Sequence, residues 1–265
     1  MGSVVTDLKP EIKRRMAALA GGAARILFPS LCGGCRVIVS IPGSLCGACW
    51  RDLRMIERPW CEILGTPFQF DMGEGAVSPA AIADPPGFDR ARSAVAYTGV
   101  ARRMAQALKF NDRTDLAPWM AVWMLRAGSE LIAEADVVVP VPLHRRRFLW
   151  RRFNQSAELG RAVAAAAGLR FEPELVIRRR NTRQQVGLGR AERDDNVRGA
   201  FAVEKAAREK VRGRRILVID DVYTTGATVS AVARSLKRAG AGGVDVLTFA
   251  RVLPEDFLDG AGDPI

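Results

Sequence analysis

One stretch restricts the fold of this 265-residue chain more than any other: Ile216-Leu-Val-Ile-Asp-Asp-Val-Tyr-Thr-Thr-Gly-Ala-Thr-Val229. Four consecutive apolar residues suit a strand buried on both faces of a parallel sheet. Two acidic residues end the run, a turn rich in Thr and Gly follows, and a helix is expected over 227–239, closed by Gly240. In an open sheet of such strand–helix units, ligands sit at the carboxyl ends of the strands. The turn Thr224–Thr228 meets a helix N-terminus, whose free N–H groups and dipole attract a phosphate. Gly226 lets the backbone come close, and the Thr hydroxyls add donors. Asp220 and Asp221 cannot hold phosphate themselves; they suit sugar hydroxyls or a Mg2+-bound group beside it. Like charges placed side by side at a buried strand end repel, which argues against a purely structural turn. The local chemistry describes a sugar with a phosphate at one end.

The surrounding pattern agrees. From residue 90, strands are expected at Ser93–Tyr97, Asp136–Val141, Val197–Val203, Arg215–Asp220 and Val244–Arg251. Between them fall a helix with Val100, Met104, Ala107 and Leu108 on one face, a helix over 115–134 and an Ala-rich helix over 154–167. Trp119 and Trp123, one turn apart, read as a core stripe. The fold class is α/β, a parallel sheet with helices on both faces. Upstream, 8–19 can form a short amphipathic helix, and the Gly/Pro-rich residues 71–88 read as a linker. The expected division is 1–68 for an N-terminal helix and ribbon, 69–89 for a linker and 90–265 for the α/β domain.

All five cysteines lie in the first 61 residues. Cys32, Cys35, Cys46 and Cys49 form C-x2-C-x10-C-x2-C, two knuckles able to complete a tetrahedral S4 site, which zinc favours. A disulfide framework and a redox C-x-x-C are the competing readings. The first lacks an export signal to support it; the second normally occurs once, beside a βαβ pattern. Four thiolates leave no open position, so the zinc is structural. Cys61-Glu-Ile-Leu-Gly-Thr-Pro67 looks like another knuckle whose second Cys has become Leu64. Cys61 is either a leftover thiol or a substitute ligand.

Net charge is +11, and residues 136–265 carry +8 of it. An anionic partner is implied, either a phosphorylated small molecule or nucleic acid, with a merely solvated basic surface as the alternative. Arg145, Arg146, Arg147, Arg151 and Arg152 alternate with Phe148, Trp150 and Phe153, which can stack on single-stranded bases or begin the next helix and pack inward. The single histidine, His144, excludes multi-His metal sites. The longest uncharged stretch, Val37–Trp50, is 14 residues and too short to cross a membrane. A cytoplasmic location without membrane insertion is expected.

Asp220-Asp-Val-Tyr-Thr-Thr-Gly-Ala-Thr228 resembles the phosphoribosyl-pyrophosphate (PRPP) signature of type I phosphoribosyltransferases. Leu108-Lys-Phe110, Val139-Pro-Val-Pro142, Arg152-Phe-Asn-Gln155 and the run from Gln184 to Asn196-Val-Arg-Gly-Ala-Phe201 resemble one branch, the ComF family, implicated in competence and DNA uptake. The resemblance spans about 25–252 and includes an N-terminal zinc ribbon. Two departures are Leu64, where the family often has a sixth Cys, and Arg152-Phe153, where a Gly commonly intervenes. The resemblance implies a phosphoribosyltransferase-like domain over 90–265. It implies Asp220 and Asp221 on the ribose hydroxyls and Mg2+-bound PRPP, with Val222 and Tyr223 adjoining. Thr224, Thr225, Gly226, Ala227 and Thr228 would cradle the 5-phosphate. Arg145, in the turn after strand 136–141, is the candidate for pyrophosphate, and Arg178–Arg198, with Gln184 and Gln185, for a mobile loop over the site. Zn2+ and Mg2+ are the implied cofactors. Single-stranded DNA and proteins of the competence machinery are the implied partners. A phosphoribosyltransferase of unknown acceptor and a non-catalytic nucleic-acid-binding or adaptor protein both remain open.

Overall fold

Val137–Val139, Ile216–Ile219 and Val244–Leu247 are apolar runs without the polar alternation of a half-exposed strand, so water must be excluded from both of their faces. The computed structural model shows how, and describes residues 29–110, 113–143, 153–180, 197, 199–254 and 257. Cα packing divides the chain into two compact units, Met1–Trp50 and Arg51–Ile265.

In the first unit the chain forms a knuckle at Cys32–Ile38 and then the single-turn helix α1 (Gly47–Arg51). The second unit begins with an irregular stretch, followed by α2 (Pro79–Ala83), capped by Ser78. Then come β1 (Arg90–Ala96), α3 (Gly99–Phe110), α4 (Ala117–Ala127), α5 (Ser129–Glu134), β2 (Val137–Pro140), α6 (Gln155–Ala167) and β3 (Arg170–Phe171). The two-residue strands β4 (Ile177–Arg178) and β5 (Phe201–Ala202) pair antiparallel. The chain ends with β6 (Arg215–Tyr223), α7 (Ala227–Arg238) and β7 (Gly243–Arg251).

The main sheet has the order β1-β7-β6-β2-β3, every pair parallel. Side chains alternate faces along each strand. On one face Val137, Val139, Ile216, Val218, Val244 and Val246 share a core with Val232 and Leu236 of α7. On the other, Val138 and Ile219 approach Gly160 of α6, Leu247 lies against Gly128, and Phe249 stacks on Trp123 of α4 at 6.0 Å. The expected α/β sheet with helices on both faces is present.

Several local expectations differ from the structure. The helix over 115–134 is two helices, α4 and α5, broken at Gly128, where a Cβ would lie 2.8 Å from the Leu247 side chain. Trp123 is half-buried and stacks on the core residue Phe249, but Trp119 is 39% exposed, so the Trp pair is not one stripe. The strand expected at Val197–Val203 shrinks to β5. The stretch taken as linker contains α2. Residues 51–68 belong to the second compact unit and run along the outer edge of β1. Ile56 N–H donates to the Ala94 carbonyl (3.0 Å), Ala96 N–H to Arg54 (2.8 Å) and Ala91 N–H to Ile63 (2.8 Å). They cover a sheet edge that would otherwise expose unpaired backbone groups. The expected helix over 8–19 lies outside the described residues.

Arg92, on β1, anchors this covering segment. It is 1% exposed, donates to the carboxylates of Glu62 (2.6 Å) and Glu130 (2.7 Å) and to the Glu62 and Ala91 carbonyls, and lies 4.8 Å over the Trp60 ring. Removing one partner of a buried ion pair leaves the rest uncompensated and costs about 3–5 kcal/mol. Glu62 and Glu130 are partly exposed, so Arg92→Met is expected at the lower end of that range. Urea denaturation should show a lower midpoint with an unchanged slope; an unchanged midpoint would contradict the anchoring role.

Candidate functional site

β6 runs three residues further than expected and carries the acidic pair within the sheet, with Asp220 opposite Thr248 and Tyr223 opposite Arg251. Strand alternation sends the two carboxylates to different surroundings. Ser156, in the first turn of α6, donates its hydroxyl to Asp220 Oδ1 (2.8 Å), which also accepts the Asp221 N–H (3.0 Å). Asp221 is 6% exposed; its Oδ1 accepts the Val222 N–H (2.8 Å), and its Oδ2 is buried without a hydrogen-bond partner among the described residues. Burial, and then the charge of Asp221, push the Asp220 carboxyl up to about 7. A buried acceptor lacking a donor, beside a carboxyl that resists ionising, is an environment suited to a cation or to ligand hydroxyls.

The turn follows at once. Gly226 has φ +80° and is the N-cap of the 12-residue α7; Ser230 N–H closes the first helical bond on its carbonyl (2.8 Å). Thr224 is exposed, Thr225 and Thr228 are half-buried, and Thr225 Oγ1 accepts the Ala227 N–H (3.4 Å). Tyr223 supports the turn from below. Its ring meets Phe88 edge-on at 6.2 Å and lies 3.9 Å beneath the Arg251 guanidinium, and its hydroxyl fills the space a Gly226 Cβ would need. Tyr223, Thr224, Thr225, Gly226, Ala227 and Arg251 border a cavity of about 620 Å³.

All the sequence-predicted residues from Asp220 to Thr228 therefore meet at one strand–turn–helix junction. Sequence reasoning missed Ser156 and Arg251, which arrive from 64 and 28 residues away. The Asn-Gln of the Arg152–Gln155 motif also reaches the site's flank. Asn154 caps α6 through Ser156 N–H and donates to the Val141 carbonyl (3.0 Å), tying α6 to the end of β2, while Gln155 is buried with Oε1 unpartnered among the described residues. Arg145, His144, the cluster Arg146–Arg152 and most of the expected loop Arg178–Arg198, with Gln184 and Gln185, lie outside the described residues.

In the first unit, Cys32, Cys35, Cys46 and Cys49 bring their Sγ atoms within 4.8 Å of one another. Zinc at about 2.3 Å from each sulfur sets them about 3.8 Å apart, so the set fits tetrahedral zinc. Burial would raise the Cys32 thiol, but N–H groups of Cys46, Cys35 and Gly34 outweigh it and bring the group down to about 6. Burial and the neighbouring thiols push Cys49 up to about 12. One site thus already favours a thiolate, and another needs a metal to lose its proton. Cys61 lies outside this set.

Two family models match the chain: a double zinc ribbon domain over residues 23–81 and a phosphoribosyl transferase domain over 155–254. The DNA utilization protein YhgH of Escherichia coli (strain K12) is 30% identical over 239 residues, covering 86% of this chain and 100% of that protein. Competence protein F of Haemophilus influenzae is 30% identical over 117 residues, 44% of this chain and 50% of that one. Among solved structures, a glutamine PRPP amidotransferase from B. subtilis complexed with ADP and GMP matches 54% of this chain and 30% of its own, at 24% identity and a TM-score of 0.34. Among the described residues no helix is long and apolar enough to cross a membrane. With a zinc ribbon carrying its four cysteines, a phosphoribosyl transferase domain behind it and a full-length relative at this identity, the chain belongs to the ComF family.

Proposed function

We propose that the chain binds Mg2+-PRPP, or a related phosphorylated sugar, at Asp220–Thr228 and acts as a phosphoribosyltransferase-like protein in DNA uptake or utilisation. The observation that carries this reading is the buried Asp221 Oδ2, without a hydrogen-bond partner among the described residues, on the strand that leads directly into the Gly226 turn and the N-terminus of α7. The carboxylates of Asp220 and Asp221 accept the ribose hydroxyls, while N–H groups of Thr224–Thr228 and the Thr hydroxyls hold the 5-phosphate. Bound Mg2+ would neutralise charge on the pyrophosphate. Ser156 keeps Asp220 turned toward the ligand, and Tyr223 keeps the turn in its left-handed shape. In a transfer reaction the C1–pyrophosphate bond breaks as an acceptor nitrogen attacks; Arg145 is the candidate to stabilise the departing charge. Supporting context is the naming of the relatives for competence and DNA utilisation. Titration calorimetry with Mg2+-PRPP is the direct test. No heat and no thermal stabilisation at millimolar ligand would overturn the reading.

Asp220 makes the binding pH-dependent. Below about 7 it holds a proton that a cation must displace, so affinity should climb toward pH 7 and level off above it. In the ligand-free protein the sign is opposite: unfolding frees the group to ionise, so stability present below pH 3.8 is lost as pH rises to about 7. Calorimetry at pH 6 in buffers of different ionisation enthalpy should detect proton release on binding, and its absence would place the raised group elsewhere.

A second reading, nucleic-acid binding without turnover, is favoured by the +8 charge of residues 136–265. It predicts salt-dependent, sequence-indifferent binding of single-stranded DNA, weakened together with its salt slope by Arg145→Ala, Arg147→Ala and Arg151→Ala. Pyrophosphate release against a panel of nitrogenous acceptors separates the two readings.

A further inference from the structure

Cys61 serves neither the zinc set nor the phosphate site, yet its backbone surroundings reproduce those of Cys32 bond for bond. Cys32 N–H donates to the carbonyl five residues on, Val37 (2.7 Å); Cys61 N–H does the same to Thr66 (2.8 Å). The residue four places on donates back in each, Arg36 to Cys32 (3.0 Å) and Gly65 to Cys61 (2.7 Å). Each knuckle is closed by an antiparallel bridge between the residue before the Cys and the sixth after it, Leu31 with Ile38 and Trp60 with Pro67. The correspondence continues across the intervening loops. Cys46 N–H donates to Cys32 Sγ at 3.2 Å, and Ser78 N–H donates to Cys61 Sγ at 3.2 Å. Cys46 Sγ then accepts the Cys49 N–H and heads α1; Ser78 Oγ accepts the Ala81 N–H and heads α2, each helix five residues long. Trp50 and Ile82 donate in turn to the Cys46 and Ser78 carbonyls.

The double-ribbon family model spans residues 23–81; we infer that its second lobe, residues 60–81, holds no metal in this chain, with Cys61, Leu64, Ser78 and Ala81 standing where the first lobe has Cys32, Cys35, Cys46 and Cys49. Leu64 and Ala81 offer no donor atom, and a lone thiolate with one hydroxyl cannot hold zinc. What closes the lobe instead is direct bonding: the Cys61 sulfur accepts N–H groups from Ser78 and Leu64, and the Leu64 carbonyl accepts Arg251 Nη1 at 2.5 Å. Arg251 is the guanidinium that covers Tyr223 beneath the Gly226 turn, so the emptied lobe has become a bracket for the phosphate site.

The inference is tested by giving the ligands back. The full chain carrying Leu64→Cys, Ser78→Cys and Ala81→Cys is expected to hold two zinc ions where the unaltered chain holds one. Reconstitution with Co2+ should double the thiolate-to-metal absorption. A folded triple variant with one metal ion overturns the inference, and so does one that stays insoluble when refolded with zinc, because a lobe in the right register closes on its ion. Cys61→Ser in the otherwise unaltered chain is expected to keep its single zinc. Loss of zinc there would make Cys61 a ligand of the first lobe and end the correspondence. None of these readings depends on whether PRPP binds.

Discussion

Replacing Gly226 by Val is expected to weaken Mg2+-PRPP binding tenfold or more, at least about 1.4 kcal/mol, in titration calorimetry. The structure gives two separate reasons. At φ +80° a β-branched residue is strained whatever space surrounds it. The new Cβ would also meet the Tyr223 hydroxyl, and that ring cannot retreat, being wedged between Phe88 and Arg251. The turn must therefore open, and the N–H groups aimed at the phosphate lose their convergence. This substitution should also cost stability, by roughly 1–2 kcal/mol for the left-handed backbone alone. A loss of binding could then be ascribed to a damaged fold, so a second variant is needed. Changing Asp220 and Asp221 together to Asn keeps shape and keeps each Oδ1 as an acceptor for its N–H or hydroxyl donor. It removes the charge that ribose hydroxyls and a cation would use. Binding should fall by a similar factor, while the ligand-free protein keeps its stability or gains some above pH 7, where the Asp220 charge beside Asp221 is costly. If the Asp pair variant binds as tightly as the original, the carboxylates are not at the ligand.

What could be foreseen of this site, and what could not, follows from the range of the interactions involved. The strand, acidic pair, turn and helix of 215–238 are contiguous, and each signal is carried by neighbours in sequence; all were legible. The zinc set was legible because metal ligation needs particular residue types at set spacings. Ser156 and Arg251 were not, because a Ser in a helix and an Arg in a strand carry no mark of what they will meet. The close packing at Gly128 was hidden for a similar reason: what leaves no room for a Cβ there is Leu247, more than a hundred residues away. Arg92 argued against burial by its type, and only Glu62, Glu130 and Trp60 together make it a core residue. The second ribbon lobe is the clearest case. Its first knuckle, Cys61–Pro67, kept a readable pattern, but with Ser78 and Ala81 at the other two ligand positions the second knuckle shows only in backbone hydrogen bonds. A sequence reader therefore saw a leftover knuckle followed by a linker.

Cys46→Ser is expected to release the zinc of the first lobe and unfold residues 29–50, while the unit from residue 51 onward keeps its structure. The reason lies in what the small unit buries. Among its described residues only Cys32, Gly33 and Cys49 are buried, and Val37, Ile38, Ile41 and Trp50 are more than half exposed. Without an apolar core, folding free energy must come from the metal, on the order of 10 kcal/mol or more for a structural zinc in a finger-sized module. A serine hydroxyl stays protonated and is a poor zinc ligand, so most of that is lost with one atom. The larger unit owes its stability to the five-stranded core, which contains none of these thiols. Hydrogen exchange should show protection vanishing over 29–50 and persisting over β6 and β7, and a chelator should do the same to the unaltered chain. Acid should release the ion too. Each ligand must be a thiolate, and protons regain Cys32 only below about 6, whereas Cys49, raised to about 12, is deprotonated near neutrality only while the metal is there to hold it. Zinc uptake at pH 7 should therefore release protons, measurable as a buffer-dependent heat. A zinc-free preparation fully protected over 29–50 would show that the lobe folds on its own and that the four cysteines are not its core.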